Sequence, residues 1–518
     1  MLTALTAEIL LKLLVFGPAA VALVLALLAP CVRQLECRDW VVQKIGLLAV
    51  VASLVVSASL SVMFVVDRSG FQFVSRIGFN LPFELSFGLD GLSLTLVLLT
   101  NFLILLTLIS GENSIKQRRS AFVISVLFLQ SFLLAVFCTL DIFLLYVFFE
   151  AMLIPMFVII GIWGGENRTY AAFKFFLYTL AGSVLMLLAL IYLYQLAGTS
   201  FLPELFASDR IAAIPAHVQR LLWFAFFASF AVKIPLWPFH TWLPDAHVQA
   251  PTGGSVLLAG IQLKLGAYGF LRLAMPLLPQ ATQQLAWVLA LLAIISIIYA
   301  SLVALAQQDM KKLIAYSSVA HMGIVVLGLV ANNLYGLQGA MVQMISHGLS
   351  SAALFLCVGV VYDRLHSRDI ASLGGLIPRM PIFGFFFLLF VMTGIGLPGT
   401  SGFVGEFLVL LGAFKAQPVL AVLAGTGTIL GAWYSLRLYR GVMLGDAHHP
   451  ETDQVQDLNG REITMFSLLA VGVLYLGIQP QGVLDLLQVP SNFLVGKAAG
   501  LPPPSLVPDF FREMLQWR

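Results

Sequence analysis

Charged side chains are scarce in this sequence: Asp, Glu, Lys and Arg make up 10% of its 518 residues, whereas hydrophobic residues make up 60%. Soluble globular domains carry roughly 25% charged residues, so the composition excludes that class. The net charge of +3 is small and dispersed, without a run of basic residues, so nucleic-acid binding has no support. We therefore expect a membrane protein that contacts the lipid bilayer and no nucleic acid.

Cysteine is also sparse. The four cysteines are Cys31, Cys37, Cys138 and Cys357. They form no CxxC pair and no Cys/His cluster, which iron–sulfur and structural zinc sites need, so we expect no metal centre. The glycine-rich stretch from Gly394 to Gly399 has the spacing of a dinucleotide-binding loop, but no predicted strand precedes it. We interpret it as a break in a membrane helix, and expect no cofactor and no redox active site in this chain.

Long apolar runs recur through the chain. A bilayer core about 30 Å thick needs roughly 20 apolar residues per helix. We expect an all-α polytopic membrane protein with about fourteen transmembrane helices. The expected spans are roughly 8–30, 41–66, 88–110, 119–138, 140–161, 172–197, 218–236, 253–275, 285–306, 312–331, 336–361, 381–416, 419–441 and 463–479.

Two of the expected spans contain helix-breaking residues, so we expect two discontinuous helices. The seventh span is interrupted at Pro235 and Pro238, and the twelfth at Gly394, Gly396, Pro398 and Gly399. Unwound backbone at membrane depth is tolerated only where it is buried in protein or faces water. In transporters such breaks occupy corresponding positions of two inverted repeats and mark the translocation site.

We accordingly expect two inverted five-helix repeats, made of spans four to eight and nine to thirteen. The expected organisation is a three-helix N-terminal segment at 1–111, repeats at 112–275 and 276–445, and a loop, last span and tail at 446–518. Lys and Arg are concentrated in the odd-numbered loops. Because cytoplasmic loops carry an excess of these residues, we expect both termini on the outer side of the membrane.

Six ionisable residues lie inside apolar stretches. They are Glu150, Lys233, Lys264, His321, His347 and Glu406. A lone cation in hydrocarbon costs roughly 2.5–3.5 kcal/mol on insertion scales, so buried charges in membranes indicate function. Carboxylates, amines and imidazoles can all exchange protons, and we expect these six to form a proton path.

Each of these residues also has a structural interpretation. The alternative role of Glu150 is a structural carboxylate whose hydrogen bonds are satisfied by polar neighbours. Prolines follow Lys233, and its alternative is a side chain that snorkels to the membrane interface. Lone membrane histidines are often packed residues rather than relays. The break after Lys233 holds His240, Asp245 and His247, with gating and structural roles equally open, and a metal site there is unsupported. Under the proposed repeat, Lys233 corresponds to Glu406 and Glu150 to His321.

Four segments are long and specific. They are FFEAMLIPMFVIIGIWGG with YAAFKFFLYTLAGS, KIPLWPFHTWLPDAHVQAPTGGSVLLAGIQLKLGAYGFLR, KLIAYSSVAHMG and LPGTSGFVGEF. Together they resemble subunit M of bacterial respiratory complex I, the counterpart of mitochondrial ND-type subunit four, over about 110–445. The resemblance implies a proton-translocating, antiporter-like subunit of NADH:quinone oxidoreductase. It also implies that Glu150, Lys233, Lys264 and Glu406 carry the proton path.

The same resemblance implies partners and localisation. The partners would be other membrane-arm subunits, including neighbouring antiporter-like subunits, with FMN and iron–sulfur clusters in partner subunits. The location would be a bacterial inner membrane, with periplasmic termini. Two other functions stay open: a subunit of a multisubunit Na⁺/H⁺ antiporter or membrane-bound hydrogenase, and a structural scaffold that does not pump.

Overall fold

A computed structural model describes residues 2–28, 38–77, 84–446, 449 and 451–500. Within these ranges twelve helices are long and apolar enough to cross a membrane. The two expected spans outside these twelve are the seventh and the twelfth, each of which is divided into shorter helices. The all-α polytopic fold class is therefore confirmed, and both interruptions lie where the prolines and glycines predicted them.

The N-terminal part contains a feature that the sequence analysis missed. Its elements are α1 (Leu2–Leu28), α2 (Arg38–Met63), β1 (Gln72–Ile77), β2 (Leu85–Leu89) and α3 (Gly91–Ser114). The two strands pair antiparallel in a stretch expected to be only a loop. β2 leads directly into α3, where the Asp90 side chain caps the first turn by accepting the Ser93 N–H at 2.9 Å.

The next part holds the first discontinuous helix. Its elements are α4 (Arg119–Cys138), α5 (Ile142–Ala151), α6 (Leu153–Trp163), α7 (Arg168–Ala197), α8 (Leu202–Ala207), α9 (Asp209–Ala212), α10 (Ala216–Lys233), α11 (Trp242–Gln249), α12 (Thr252–Leu257), α13 (Lys264–Gly269) and α14 (Met275–Leu277). α10 ends at Lys233 because Pro235 and Pro238 lack the N–H that would continue it. Two π-helical turns, Leu258–Gln262 and Phe270–Ala274, join α12, α13 and α14 into one span.

The second discontinuous helix lies in the following part. Its elements are α15 (Pro279–Gln284), α16 (Ala286–Ala306), α17 (Met310–Ala331), α18 (Leu334–Leu365), α19 (Pro381–Ile395), α20 (Ser401–Ala416) and α21 (Pro418–Met443). Between α19 and α20, Gly396 and Gly399 have φ angles of 83° and 90°, which favour glycine. The glycine-rich stretch is therefore a helix break, as the sequence indicated.

The last described part contains one more helix than expected. A 3₁₀ turn (Thr452–Gln454) precedes α22 (Gly460–Ile478), the fourteenth expected span, and α23 (Gln481–Ala498) follows it. α23 packs against α18, α3, α14 and α15. The final segment 501–518, together with Cys31 and Cys37, lies outside the described residues.

The helices that carry the ionisable residues form the interior of the bundle. The span Thr252–Leu277 is entirely buried, and α18 is nearly so. α17 packs against α16 and α18, and α18 packs closely against α20. By contrast, α1, α2 and α21 expose most of their apolar surface. The ionisable side chains on α13, α17, α18 and α20 are thus shielded by an outer layer of apolar helices.

Candidate functional site

Lys264 and His347 are in direct contact in the middle of the bundle. Lys264 Nζ lies 2.7 Å from His347 Nδ1 and also donates to the carbonyl oxygen of Ala259. Lys264 is fully buried, and His347 is 3% exposed. In a π-helical turn the backbone hydrogen bonds run from residue i to i+5. The turn before α13 places the Ala259 carbonyl within reach of a side chain five residues later.

His321 continues this contact toward Glu406. The ring centroids of His321 and His347 are 5.7 Å apart, and His321 Nδ1 lies 2.9 Å from Glu406 Oε1. Glu406 is 6% exposed and follows the break between α19 and α20. Four predicted residues from four helices therefore form one continuous set of titratable groups: Lys264, His347, His321 and Glu406.

Glu150 and Lys233 form a second, looser group. Lys233 is 2% exposed, its Nζ lies 5.0 Å from the centroid of the Phe149 ring, and it interacts electrostatically with Glu150. Its burial argues against snorkelling. Neither Lys233 Nζ nor the carboxylate oxygens of Glu150 have a hydrogen-bond partner among the described residues. The two charges attract each other without being locked together.

Among the described residues no hydrogen bond joins Lys233 to Lys264. Two neighbouring polar side chains, Ser229 and Gln262, are also buried without a described partner. Ser229 lies one helical turn before Lys233, and Gln262 lies two residues before Lys264. Because buried polar groups in proteins are nearly always paired, such a group of side chains indicates a polar, reorganisable interior.

The residues of the first break divide into different environments. Asp245 forms an ion pair with Lys174 at 2.6 Å, which gives it a structural partner. His247 is fully buried, stacks on Phe355 with ring centroids 4.5 Å apart, and has no described partner for either ring nitrogen. His240 packs edge-on against two tyrosine rings. No group of three or more His, Cys, Asp or Glu able to hold a metal ion occurs among the described residues.

Lys311 is a buried residue that the sequence analysis assigned to a loop. It is 5% exposed, and its Nζ donates to the carbonyl of Ala250 at 2.5 Å. It lines a cavity of about 760 Å³ formed by the loops around 164–167, 248–252 and 366–369. His247 lies within electrostatic range of both Lys311 and Lys264. Lys311 lies at the end of a predicted span, and this position in the sequence does not indicate that its side chain is buried.

Two further polar contacts were missed. Gln343 donates its amide N–H to Glu406 Oε1 at 3.2 Å, and its position four residues before His347 on α18 was an available signal. Arg272, which was assigned to a loop flank, forms a buried ion pair with Asp90 and donates to Ser93 Oγ at 2.9 Å. The first contact belongs to the set around Glu406, whereas the second ties the eighth span to the start of α3.

The sequence matches two family models. The model described as NADH:quinone oxidoreductase/Mrp antiporter, TM matches residues 139–431, and the one described as NADH-ubiquinone oxidoreductase chain 4, amino terminus matches residues 41–136. A relative from Rhodobacter capsulatus, named NADH-quinone oxidoreductase subunit M, is 48% identical over 489 residues, covering 92% of this chain and 94% of that protein.

Solved structures agree with this relationship. A chain of respiratory complex I from Thermus thermophilus, solved with bound NADH, superposes with a TM-score of 0.82 at 30% identity, covering 94% of this chain and 100% of that one. A chain of an Mrp complex from Dietzia sp. has a TM-score of 0.82 at 21% identity, covering 94% and 98%. The second likeness shows the fold alone. The chain therefore belongs to the family of NADH:quinone oxidoreductase and Mrp antiporter membrane subunits, in the group of subunit M, or chain 4.

Proposed function

We propose that this chain is a proton-translocating subunit of an NADH:quinone oxidoreductase, working beside other membrane-arm subunits, including antiporter-like neighbours. One observation carries the proposal: Lys264, His347, His321 and Glu406 follow one another inside the bundle, with Lys264 in hydrogen-bonding distance of His347, His321 in hydrogen-bonding distance of Glu406, and the two histidine rings 5.7 Å apart. Buried charges are costly in a membrane, and a structural role needs only local pairs. A continuous set of groups that can each bind and release a proton is what proton transfer requires.

The contacts define the order of the transfers. Protonated Lys264 gives a proton to His347 Nδ1, and the imidazolium releases its other proton from Nε2 toward His321. His321 then delivers a proton from Nδ1 to Glu406 Oε1. Each histidine thus receives a proton at one ring nitrogen and releases a proton from the other.

Glu150 and Lys233 act on the set through charge. When Lys233 is drawn to Glu150, its positive charge moves away from the α13 region, and Lys264 retains its proton more readily. When the pair opens, repulsion between two buried lysines favours proton release from Lys264. The loose contact between Glu150 and Lys233 permits both arrangements.

The energy comes from partner subunits. Moving one proton against 100 mV costs about 2.3 kcal/mol. FMN and iron–sulfur clusters belong to those partners, and this chain supplies neither a cofactor nor a redox active site. NADH oxidation and quinone reduction elsewhere in the complex therefore drive the opening and closing of the Glu150–Lys233 pair.

Protons reach Lys264 from the cytoplasmic side through the cavity that Lys311 lines, with His247 between the two lysines. This direction rests on the loop charges, which place that cavity in the cytoplasm of a bacterium and both termini in the periplasm, with the chain in the inner membrane. The proposed repeats are 112–275 and 276–445. The pair Glu150/Lys233 in the first repeat corresponds to the pair His321/Glu406 in the second.

A Na⁺/H⁺ antiporter is less well supported. Identity is 48% to a subunit M of NADH-quinone oxidoreductase, against 21% to a chain of an Mrp complex. A scaffold without pumping makes a different prediction for one substitution. Lys264→Met preserves much of the side chain's length and removes the proton carrier.

The experiment measures protons translocated per NADH oxidised by the purified complex in proteoliposomes. Lys264→Met lowers this ratio while the complex stays assembled and oxidises NADH. Lys312→Met, an exposed lysine on α17, is the matched control and leaves the ratio unchanged. A Lys264→Met complex that pumps like the unmodified one would support the scaffold and contradict the proposal.

A further inference from the structure

The carboxylate of Glu406 has two different surroundings. Its Oε1 accepts from His321 Nδ1 at 2.9 Å and from Gln343 Nε2 at 3.2 Å. Its Oε2 faces the break between α19 and α20, since a Cβ built on Gly396 would lie 3.5 Å from it. One carboxylate oxygen therefore accepts hydrogen bonds from His321 and Gln343, and the other faces the unwound backbone of the helix break.

Gln343 is fixed in place by helix packing. It is 2% exposed, and Gly405, the residue before Glu406, brings α20 against it. A Cβ on Gly405 would lie 2.4 Å from the Gln343 side-chain oxygen and 2.8 Å from its Cα. This close packing keeps the amide beside Glu406, and among the described residues the amide oxygen of Gln343 has no hydrogen-bond partner.

A small cavity continues from the Glu406 side of the site. It has a volume of about 10 Å³, enough for about one water molecule. Glu406 and Gly394 line it, and Ser301, Thr428 and Tyr434 supply hydroxyl groups. Polar partners beyond the carboxylate are therefore available on the side of the break, away from Gln343.

We propose that Gln343 is a positioning residue for proton transfer: its amide holds Oε1 of Glu406 against His321, so that Oε1 takes the proton from His321 Nδ1 while the proton already carried on Oε2 leaves toward the helix break. Gln343 thus orients the acceptor oxygen and keeps it within hydrogen-bonding distance of His321 Nδ1. This inference rests on the proposed function, because it needs Glu406 to carry protons.

The test replaces Gln343 with Met, which keeps the length and removes the donor, in the assembled complex. Pumping per NADH is measured together with the infrared carbonyl stretch of protonated Glu406, identified by its loss in Glu406→Gln. Gln343→Met lowers the number of protons pumped per NADH and shifts the carbonyl band, because the hydrogen bond to Oε1 is lost. A purely structural role would not move the band.

Gln338 supplies the matched control. It lies on the same helix, is 8% exposed, and donates to Gln488 at 2.8 Å, outside the relay. Gln338→Met leaves pumping and the band unchanged. Should Gln343→Met fail to assemble, Gln343→Asn, whose amide is too short to reach Glu406, gives the same loss of pumping and the same band shift.

The possible results separate the two proposals. If Glu406→Gln abolishes pumping and Gln343→Met pumps normally with the unmodified band, the inference about Gln343 is wrong and the relay stands. If Glu406→Gln pumps normally, the proposed function fails, and the inference with it.

Discussion

The ammonium group of Lys264 has more hydrogen-bond donors than the described residues have acceptors for it. An ammonium group has three N–H donors, and the described residues provide two acceptors, the Ala259 carbonyl and His347 Nδ1. The histidine nitrogen can take a proton outright, whereas the carbonyl only orients the lysine. The geometry thus favours transfer to His347 over storage of a fixed charge.

A charge-preserving substitution separates these two roles. Lys264→Arg keeps a cation at α13, but a guanidinium stays protonated in proteins and cannot hand a proton to His347. We expect the variant complex to assemble and to pump as poorly as one carrying Lys264→Met, as measured by protons per NADH. Lys312→Arg is the control at an exposed position. Normal pumping by Lys264→Arg would show that only the charge matters.

The buried ion pair of Arg272 and Asp90 stabilises the fold at the end of the eighth span. Both side chains are largely inaccessible, and removing one partner of a buried pair costs about 3–5 kcal/mol because it leaves an uncompensated charge. We expect Asp90→Ala to lower the free energy of unfolding by about that amount. Denaturation of the purified complex measures it.

The control for Asp90→Ala is an exposed pair. Asp453 pairs with Arg379 at 3.1 Å with its side chain 82% exposed. Exposed pairs contribute about 0–1 kcal/mol, so Asp453→Ala has a small effect. Equal destabilisation by the two substitutions would contradict the importance assigned to burial.

Helices α18 and α20 pack closely against each other because residue 405 is glycine. A methyl group there would overlap Gln343, so Gly405→Ala forces the two helices apart and displaces Glu406 from His321. We expect a loss of pumping although alanine favours helix by about 1 kcal/mol over glycine. Proton pumping and thermal denaturation of the complex are both measured.

Gly425→Ala is the matched control for this prediction. A Cβ at Gly425, on α21, meets nothing within 4 Å. The same propensity gain then has no steric cost, and we expect unchanged pumping with equal or higher stability. Unimpaired pumping by Gly405→Ala would show that Glu406 tolerates a wider gap between α18 and α20.

The breaks and the spans were predictable from the sequence for a local reason. Pro235 ends α10, and Gly396 and Gly399 adopt positive φ, so the chemistry of a few neighbours decides these boundaries. The β1–β2 hairpin was missed because it is short and lies between two strong membrane spans. α23 was missed because Pro490 lies in its middle and polar residues interrupt its apolar ones, so that no long apolar run marks it.

The ionisable residues of the candidate site could be identified from the sequence, but the contacts between them could not. Six ionisable residues in apolar runs were identifiable because each is costly there. The pairing of Lys264 with His347 depends on a π-helical turn and on packing between distant segments, which no local pattern specifies. Lys311 and Arg272 lie near span ends, where the sequence cannot separate a buried charge from a loop charge.

For the whole molecule, the loop charges predict an orientation that reporters can test. With odd loops in the cytoplasm, a reporter active only outside works when fused at the C-terminus and is silent when inserted near 116–118. A cytoplasmic reporter gives the reverse pattern. Activity of the same reporter at both places would contradict the count of fourteen spans, because eleven of them, an odd number, separate that loop from the C-terminus.

The most direct measurement of the central claim compares two single substitutions with their combination. Lys264→Met and Glu406→Gln remove the first and last members of the contact set, and groups that act in one path lose function non-additively. In proteoliposomes of the assembled complex, we expect each single variant to lose the same number of protons per NADH, and the double variant to lose no more. A double variant that loses the sum of the two single losses would show that Lys264 and Glu406 serve separate paths, and would contradict the account.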